Sequence, residues 1–176
     1  MKSMKQLMLA VGVTTALVAG AAVVSAANGS SRPAATADAT VLEALQHMVE
    51  EEKLAHDVYV TLADGTDLQM FDRISTSEAR HEAQVQSLLA HYGLSDPTAG
   101  NGIGEFTDPA FATLYDQLVT RGSASDTAAL QVGVTIEQLD IADLESRLES
   151  SLPSDVADTF ARLVAGSERH LAAFSR

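Results

Sequence analysis

Glu78 and His81 stand three residues apart in the stretch TSEARHEAQV, residues 76–85. Steps of four and three residues from Ile74 pass through Ile74, Glu78, His81, Val85, Leu88 and Tyr92, the stripe that a helix turns toward its core. The same stepping elsewhere gives Leu45, Met48, Glu52, Ala55, Tyr59 and Leu62, then Leu130, Val134, Glu137, Ile141, Leu144 and Leu148, then Val156, Phe160, Leu163, Ser167, His170 and Phe174. Each stripe is apolar except near its middle. Asp140 lies beside the third, three residues after Glu137. Four carboxylates (Glu52, Glu78, Glu137, Asp140) and two imidazoles (His81, His170) are therefore expected to meet inside one helical core.

An unpaired buried carboxylate costs several kcal/mol, and a domain is stable by only about 5–15 kcal/mol, so four of them need compensation. Lys53 and the arginines lie off the stripes, which makes internal ion pairing a poor answer. Metal is the better one. Oxygen and imidazole donors suit two ions of iron or manganese, with zinc also admissible. The chain has no Cys, which excludes thiolate metal sites, disulfides and a Cys nucleophile.

Four long helices and one short one would position these groups. TVLE (40–43) reads as a capping box opening helix one, which runs to about Ala63 before DGTD breaks it. Helix two spans about Phe71 to Tyr92. A long connection follows, in which Gly102 and Gly104 read as loop formers; Asp108 and Pro109 then start a short helix that stops near Gly122. Helix three runs from about Ser125 to Glu149 and helix four from Asp155 to Phe174. No strand pattern of useful length appears. The fold class is all-α, a four-helix bundle with a long crossover carrying a short extra helix between helices two and three.

The first 26 of the 176 residues read differently. A short basic start, an apolar run and small residues at Val24, Ser25 and Ala26 predict an export signal cleaved after Ala26, with an uncleaved anchor as the alternative. Residues 27–39 read as a flexible linker and 40–176 as the helical domain. The net charge is −13, and loss of Lys2 and Lys5 leaves 9 basic against 24 acidic residues, or −15. A nucleic-acid partner is not expected of such a chain.

The motifs resemble a known group. One Glu from each of two helices plus Glu-x-x-His from the others is the ferritin-like di-iron pattern. More closely, EEEKLAHDVY, SEARH, LYDQLV, VGVTIEQLDIADL and HLAAF, spread over residues 41–174, resemble the bacterial and archaeal ferritin-like family catalogued as domain of unknown function 2202. The resemblance implies the fold and metal binding, but no reaction. It also gives Tyr59 a role, because many ferritin-like first helices place a Tyr seven residues after their ligand Glu. Two departures stand out. Ser167 occupies the place of a ferritin Glu, with Glu168 turned about 100° away. His56 stands where the resemblance leads us to expect Arg. Asp140 is then either the ligand that restores the missing carboxylate or an acid that orients one.

Blander roles compete. Glu78 would be a capping residue if helix two began at Ser75, and His81 and His170 taken singly could be satisfied core histidines. Glu50 and Glu51 read as a solvated face, with either able to substitute as a ligand if the register is off by one turn, and His47 and His91 read as surface residues. The leading expectation is an exported protein holding two metal ions that oxidises ferrous iron or reduces oxygen or peroxide, with Tyr59 supplying a hydrogen bond or an electron. The alternative is a non-enzymatic metal- or partner-binding bundle outside the cytoplasm. Without Cys, the rubredoxin-like module that feeds electrons to rubrerythrins is missing. A homo-oligomer stays open, and membrane contact is expected only if the N-terminal segment is retained.

Overall fold

The computed structural model of the chain describes residues 39–176, so the predicted export signal and all but the last residue of the predicted linker lie outside it. Among the described residues there are five helices and no strand: α1 (Ala39–Gly65), α2 (Met70–His91), α3 (Pro109–Gly122), α4 (Asp126–Leu148) and α5 (Ser154–Phe174). None of them is long and apolar enough to cross a membrane. α1 packs chiefly on α2, and α4 on α5; the two pairs meet through α1–α4 and α2–α5, while α3 sits against α1 and α4.

The helix ends follow from local chemistry, with two corrections. Asp108 caps α3 by accepting from the Ala110 amide at 2.8 Å, with Pro109 as the first helical residue, and Ser125 caps α4 by accepting from the Ala128 amide at 3.2 Å. Gly93, at φ +65°, ends α2: the Leu94 amide donates to Leu89 O and the Gly93 amide to Ala90 O, which satisfies carbonyls the helix leaves unpaired. α1 already begins at Ala39, so Thr40 is inside its first turn rather than at its cap. α2 begins at Met70, so Ser75 is interior and its hydroxyl donates back to Asp72 O at 3.1 Å. The capping role for Glu78 falls with it.

The predicted stripes of α1, α2 and α5 are buried along their whole length. α4 differs. Leu130, Val134, Ile141 and Leu148 are only half-buried, and the buried face is Ala129, Val132, Gly133, Ile136, Glu137, Asp140, Asp143, Leu144 and Arg147. The helix turns one residue further than its apolar pattern indicates, because it meets α1 as well as α5.

The solvated face predicted for Glu50 and Glu51 is absent. Glu50, Glu51, Glu52 and Lys53 are all buried, at 5, 4, 1 and 4% exposure. The connection between α2 and α3 covers this side of α1. Glu50 Oε1 accepts from the Thr107 and Asp108 amides at 2.7 and 3.0 Å, and Gln46 donates to Ser95 O at 3.1 Å. Lys53, expected to lie away from internal partners, pairs with Asp57, donates to Gly102 O at 2.8 Å and lies 4.9 Å from the Phe106 ring centre. Gly104, at φ +77°, donates to Asp57 Oδ2 at 2.9 Å in a conformation that favours glycine.

Two apolar clusters fill the interior. One contains Val58, Tyr59, Leu62, Phe71, Phe111 and Phe174, the other Leu45, Met48, Val85, Leu144, Phe160 and Leu163. The polar residues of the four stripes fall between them in sequence on every long helix, forming a polar layer between two apolar ones.

Candidate metal centre

All seven residues singled out in the sequence come together. Glu78, from α2, is the middle of the group: its Oε1 lies 2.7 Å from His170 Nδ1 and its Oε2 lies 2.8 Å from His81 Nδ1. Glu52 of α1 stands 3.4 Å from the same nitrogen of His81, and Glu137 of α4 stands 3.7 Å from that of His170. The two rings stack with centres 5.4 Å apart. The result is a near-symmetric arrangement, one carboxylate flanked by two imidazoles, each backed by a further carboxylate. Glu52, Glu78 and Glu137 are each 1% exposed, whereas His81 and His170 keep 7 and 9%. What access the layer has therefore lies along the α2–α5 seam.

Two hydroxyls complete it. Tyr59 donates to Glu137 Oε1 at 2.6 Å, and its ring packs against Phe71 and Phe174 at 5.7 and 5.2 Å. Ser167 donates to Asp140 Oδ2 at 2.6 Å. The residue standing in the place of a Glu thus holds the extra carboxylate of α4 and leaves its Oδ1 buried and unpartnered. The α5 backbone comes equally close to the imidazole. A Cβ on Gly166 would lie 2.6 Å from His81 Cε1 and Nε2, so only glycine leaves room for the ring.

The electrostatics are those of a crowded cluster whose carboxylates and imidazoles hold protons between them. Burial, then the Glu78 charge, push Glu52 up to about 8 against the pull of His81. Burial and Glu78 likewise push Glu137 up to about 7. Asp140 rises well above its ordinary range, through burial and then the charges of Glu52 and Glu51. Burial alone would raise Glu78, but the two imidazoles hold it below its ordinary value. Burial disfavours the charged rings, yet contacts with Glu52 and Glu78 push His81 up to about 10, and contacts with Glu137 and Glu78 push His170 up to about 9.

The donor set fits a cation. Glu52 Oε1, Glu78 Oε1, His81 Nδ1, Asp140 Oδ1 and His170 Nδ1 are buried without a hydrogen-bond partner, although several face one another at ion-pair distance. Glu78, His81 and His170 each bring one ligand atom within 4.8 Å of the others. These atoms converge on common space, which a metal ion would fill in place of the protons the imidazoles and carboxylates share.

The sequence did not reveal a second group. His47, expected at the surface, is only 16% exposed, and its Nε2 lies 3.4 Å from Glu51 Oε2 and 3.3 Å from Asp143 Oδ2. The signals were there: Glu51 is one helical turn after His47, and Asp143 is three residues after Asp140. Both lie off the apolar stripes, so helical periodicity does not mark them as inward-facing. His56 stays apart from the central layer, paired with Asp57 Oδ1 at 2.8 Å, and His91 is exposed as expected.

Fold and site define an all-helical bundle with a buried carboxylate–imidazole cluster. The chain belongs to the family described as Uncharacterized protein domain (DUF2202), which matches residues 42–176. It is 45% identical over 134 residues to Uncharacterized protein MJ0754 of Methanocaldococcus jannaschii, an alignment covering 76% of this chain and 72% of that protein. The crystal structure of hypothetical protein MJ0754 from Methanococcus jannaschii DSM 2661 superposes with a TM-score of 0.78 at 43% identity, covering 82% of this chain and 83% of that one.

Proposed function

We propose that this protein is a ferritin-like carrier of a dinuclear iron or manganese centre, acting outside the cytoplasm in the oxidation of ferrous iron or the reduction of oxygen or peroxide. The observation that carries the reading is the near-symmetric set around Glu78, whose two oxygens face two imidazoles on different helices. Bound there, two such ions would supply one-electron chemistry toward oxygen or peroxide.

The chain's own residues do the rest. Glu52 with His81, Glu137 with His170, and Glu78 between the two pairs would hold the ions. Asp140, held by Ser167, offers Oδ1 as a further oxygen donor. Tyr59 fixes the direction of Glu137 through its hydroxyl. The apolar layers on both sides exclude water from the carboxylates, while the slightly exposed imidazole edges leave the α2–α5 seam as the approach for a small oxidant.

The test compares wild type with His81→Ala. Stopped-flow absorbance of ferric product, normalised to folded protein by circular dichroism, should show wild type oxidising added ferrous iron far faster than free iron oxidises, and the variant should lose that excess while staying helical. Equal rates would leave a passive metal- or partner-binding bundle as the better reading.

A further inference from the structure

We infer that His47, Glu51 and Asp143 form a second cation site, separate from the central layer, that takes a single divalent transition-metal ion. His47 and Glu51 are one turn apart on α1, and Asp143 reaches them from α4. One ligand atom of each lies within 4.8 Å of the other two. Imidazole with two carboxylates is a donor set for zinc, manganese or ferrous ions rather than for calcium or magnesium, which prefer oxygen alone.

Glu51 supplies the independent observation. It is 4% exposed, and neither of its carboxylate oxygens has a hydrogen-bond partner. Nε2 of His47 is also buried and without one. A buried carboxylate whose one facing partner is an imidazole at 3.4 Å is costly, and its neighbours show what would relieve it. Arg147 does not do so: its Nε bonds Asp143 Oδ2 at 3.0 Å and its Nη1 reaches Glu43 at 3.6 Å, with no ion pair to Glu51 among the described residues. Against the pull of burial, Asp143 and Glu51 hold a proton on His47, pushing it up to about 9; once an ion takes the place of that proton, the three carboxylates Glu43, Glu51 and Asp143 face one guanidinium. Two negative charges remain, which one divalent ion neutralises.

The site also has a way in. His47 lines an open cleft of about 540 Å³ together with Leu42, Glu43, Gln46, Glu50 and Phe111. Its ring forms part of the wall between that cleft and the buried carboxylates, and it packs at a tilt against the Phe111 ring, 5.2 Å away. A hydrated cation drawn to Glu43 and Glu50 in the cleft would meet His47 next.

The experiment is a cobalt(II) titration of the full chain carrying Glu78→Gln, a change that weakens the central layer without touching His47, Glu51 or Asp143. Visible ligand-field absorption should report a bound equivalent that disappears when His47→Gln or Glu51→Gln is added and persists when the exposed His91→Gln is added. The affinity lost should exceed the roughly 10–100-fold that follows loss of an outer partner of a ligand. Glu51→Gln keeps the side-chain shape, and circular dichroism confirms that the protein tested is folded. No His47-dependent cobalt in the Glu78→Gln protein, or binding indifferent to both His47→Gln and Glu51→Gln, overturns the inference. Neither result bears on the central layer, which the oxidation assay addresses in a protein that retains Glu78.

Discussion

Gly166→Ala separates a metal-binding His81 from a merely packed one. In an ordinary helix interior this change stabilises by about 1 kcal/mol. Here the new Cβ would sit 2.6 Å from His81 Cε1 and Nε2, and ordinary contact begins near 3.4 Å, so the ring must retreat by about 0.8 Å. Its retreat is opposed by Glu52 and Glu78, which hold Nδ1 at 3.4 and 2.8 Å. Overpacking of this kind costs about 1–3 kcal/mol, which leaves a net destabilisation between zero and about 2 kcal/mol, or a fall in Tm of at most about 8 °C. Metal ligation is far less forgiving, since ligand distances hold to about 0.2 Å. The variant should therefore stay folded and lose about 100-fold or more in affinity for manganous or ferrous ions, comparable to or beyond the loss of an outer partner. Calorimetric metal titration beside a thermal melt measures both. A variant that melts about 1 kcal/mol higher and binds metal as wild type does would refute the close approach and the role of His81 together.

Four further outcomes are expected. Without metal, the raised His81 and His170 contribute stability that is complete below their ordinary value of 6.5 and is lost as pH climbs through about 9 and 10; the raised Glu52 and Glu137 add to the decline above 4.5, so the apo protein should melt progressively lower from pH 6 to 10. Metal must displace the protons on both imidazoles, so titration at neutral pH in buffers of different ionisation enthalpy should report proton release, and the rise in Tm on adding metal should grow with pH. Tyr59→Phe strips a buried carboxylate of its 2.6 Å donor and should cost about 1–3 kcal/mol in urea unfolding, with less than 0.5 kcal/mol counting against that bond. Lys53→Met removes the ammonium from Asp57, which keeps His56 and the Gly104 amide, and should cost about 1–3 kcal/mol, accompanied by faster proteolysis near Gly102, where the connection loses one of its attachments.

The central layer was legible because its Glu and His residues interrupt apolar stripes, while Asp140 lies beside one and Tyr59 drew its role from the family resemblance; a helical stripe shows one face of a helix and no more. For α2 and α5 that face was enough. α1 is enclosed on several sides, so Glu50, Glu51, Lys53 and Asp57 are buried by partners far away in sequence, chiefly the connection around Gly102–Asp108. Nothing in local periodicity announces a loop that folds back over a helix. α4 was misjudged for a related reason: its leucines and valines mark one face, but the side toward α1 is polar, carrying Asp140, Asp143 and Arg147. Hydrophobicity cannot find an interface made of charges.

The consecutive acids of α1 raise a question of alignment. Three identical residues, Glu50, Glu51 and Glu52, leave the helix nearly indifferent to a slip of one position, since a carboxylate would still reach the places of Glu51 or Glu52 after a 100° turn. Lys53 removes the indifference. Slipped one way, its ammonium lands where Leu54 is buried in the apolar cluster, at a cost of several kcal/mol. Slipped the other way, it lands in the place of Glu52, opposite Glu78 and His81. That second error is the more telling, because a lysine there would neutralise the carboxylates internally and give a bundle with no use for metal. The attachment of Lys53 to Gly102 and Phe106 keeps the chain's own fixed cation out of the layer, and leaves its carboxylates to imidazoles whose protons an ion from outside could displace.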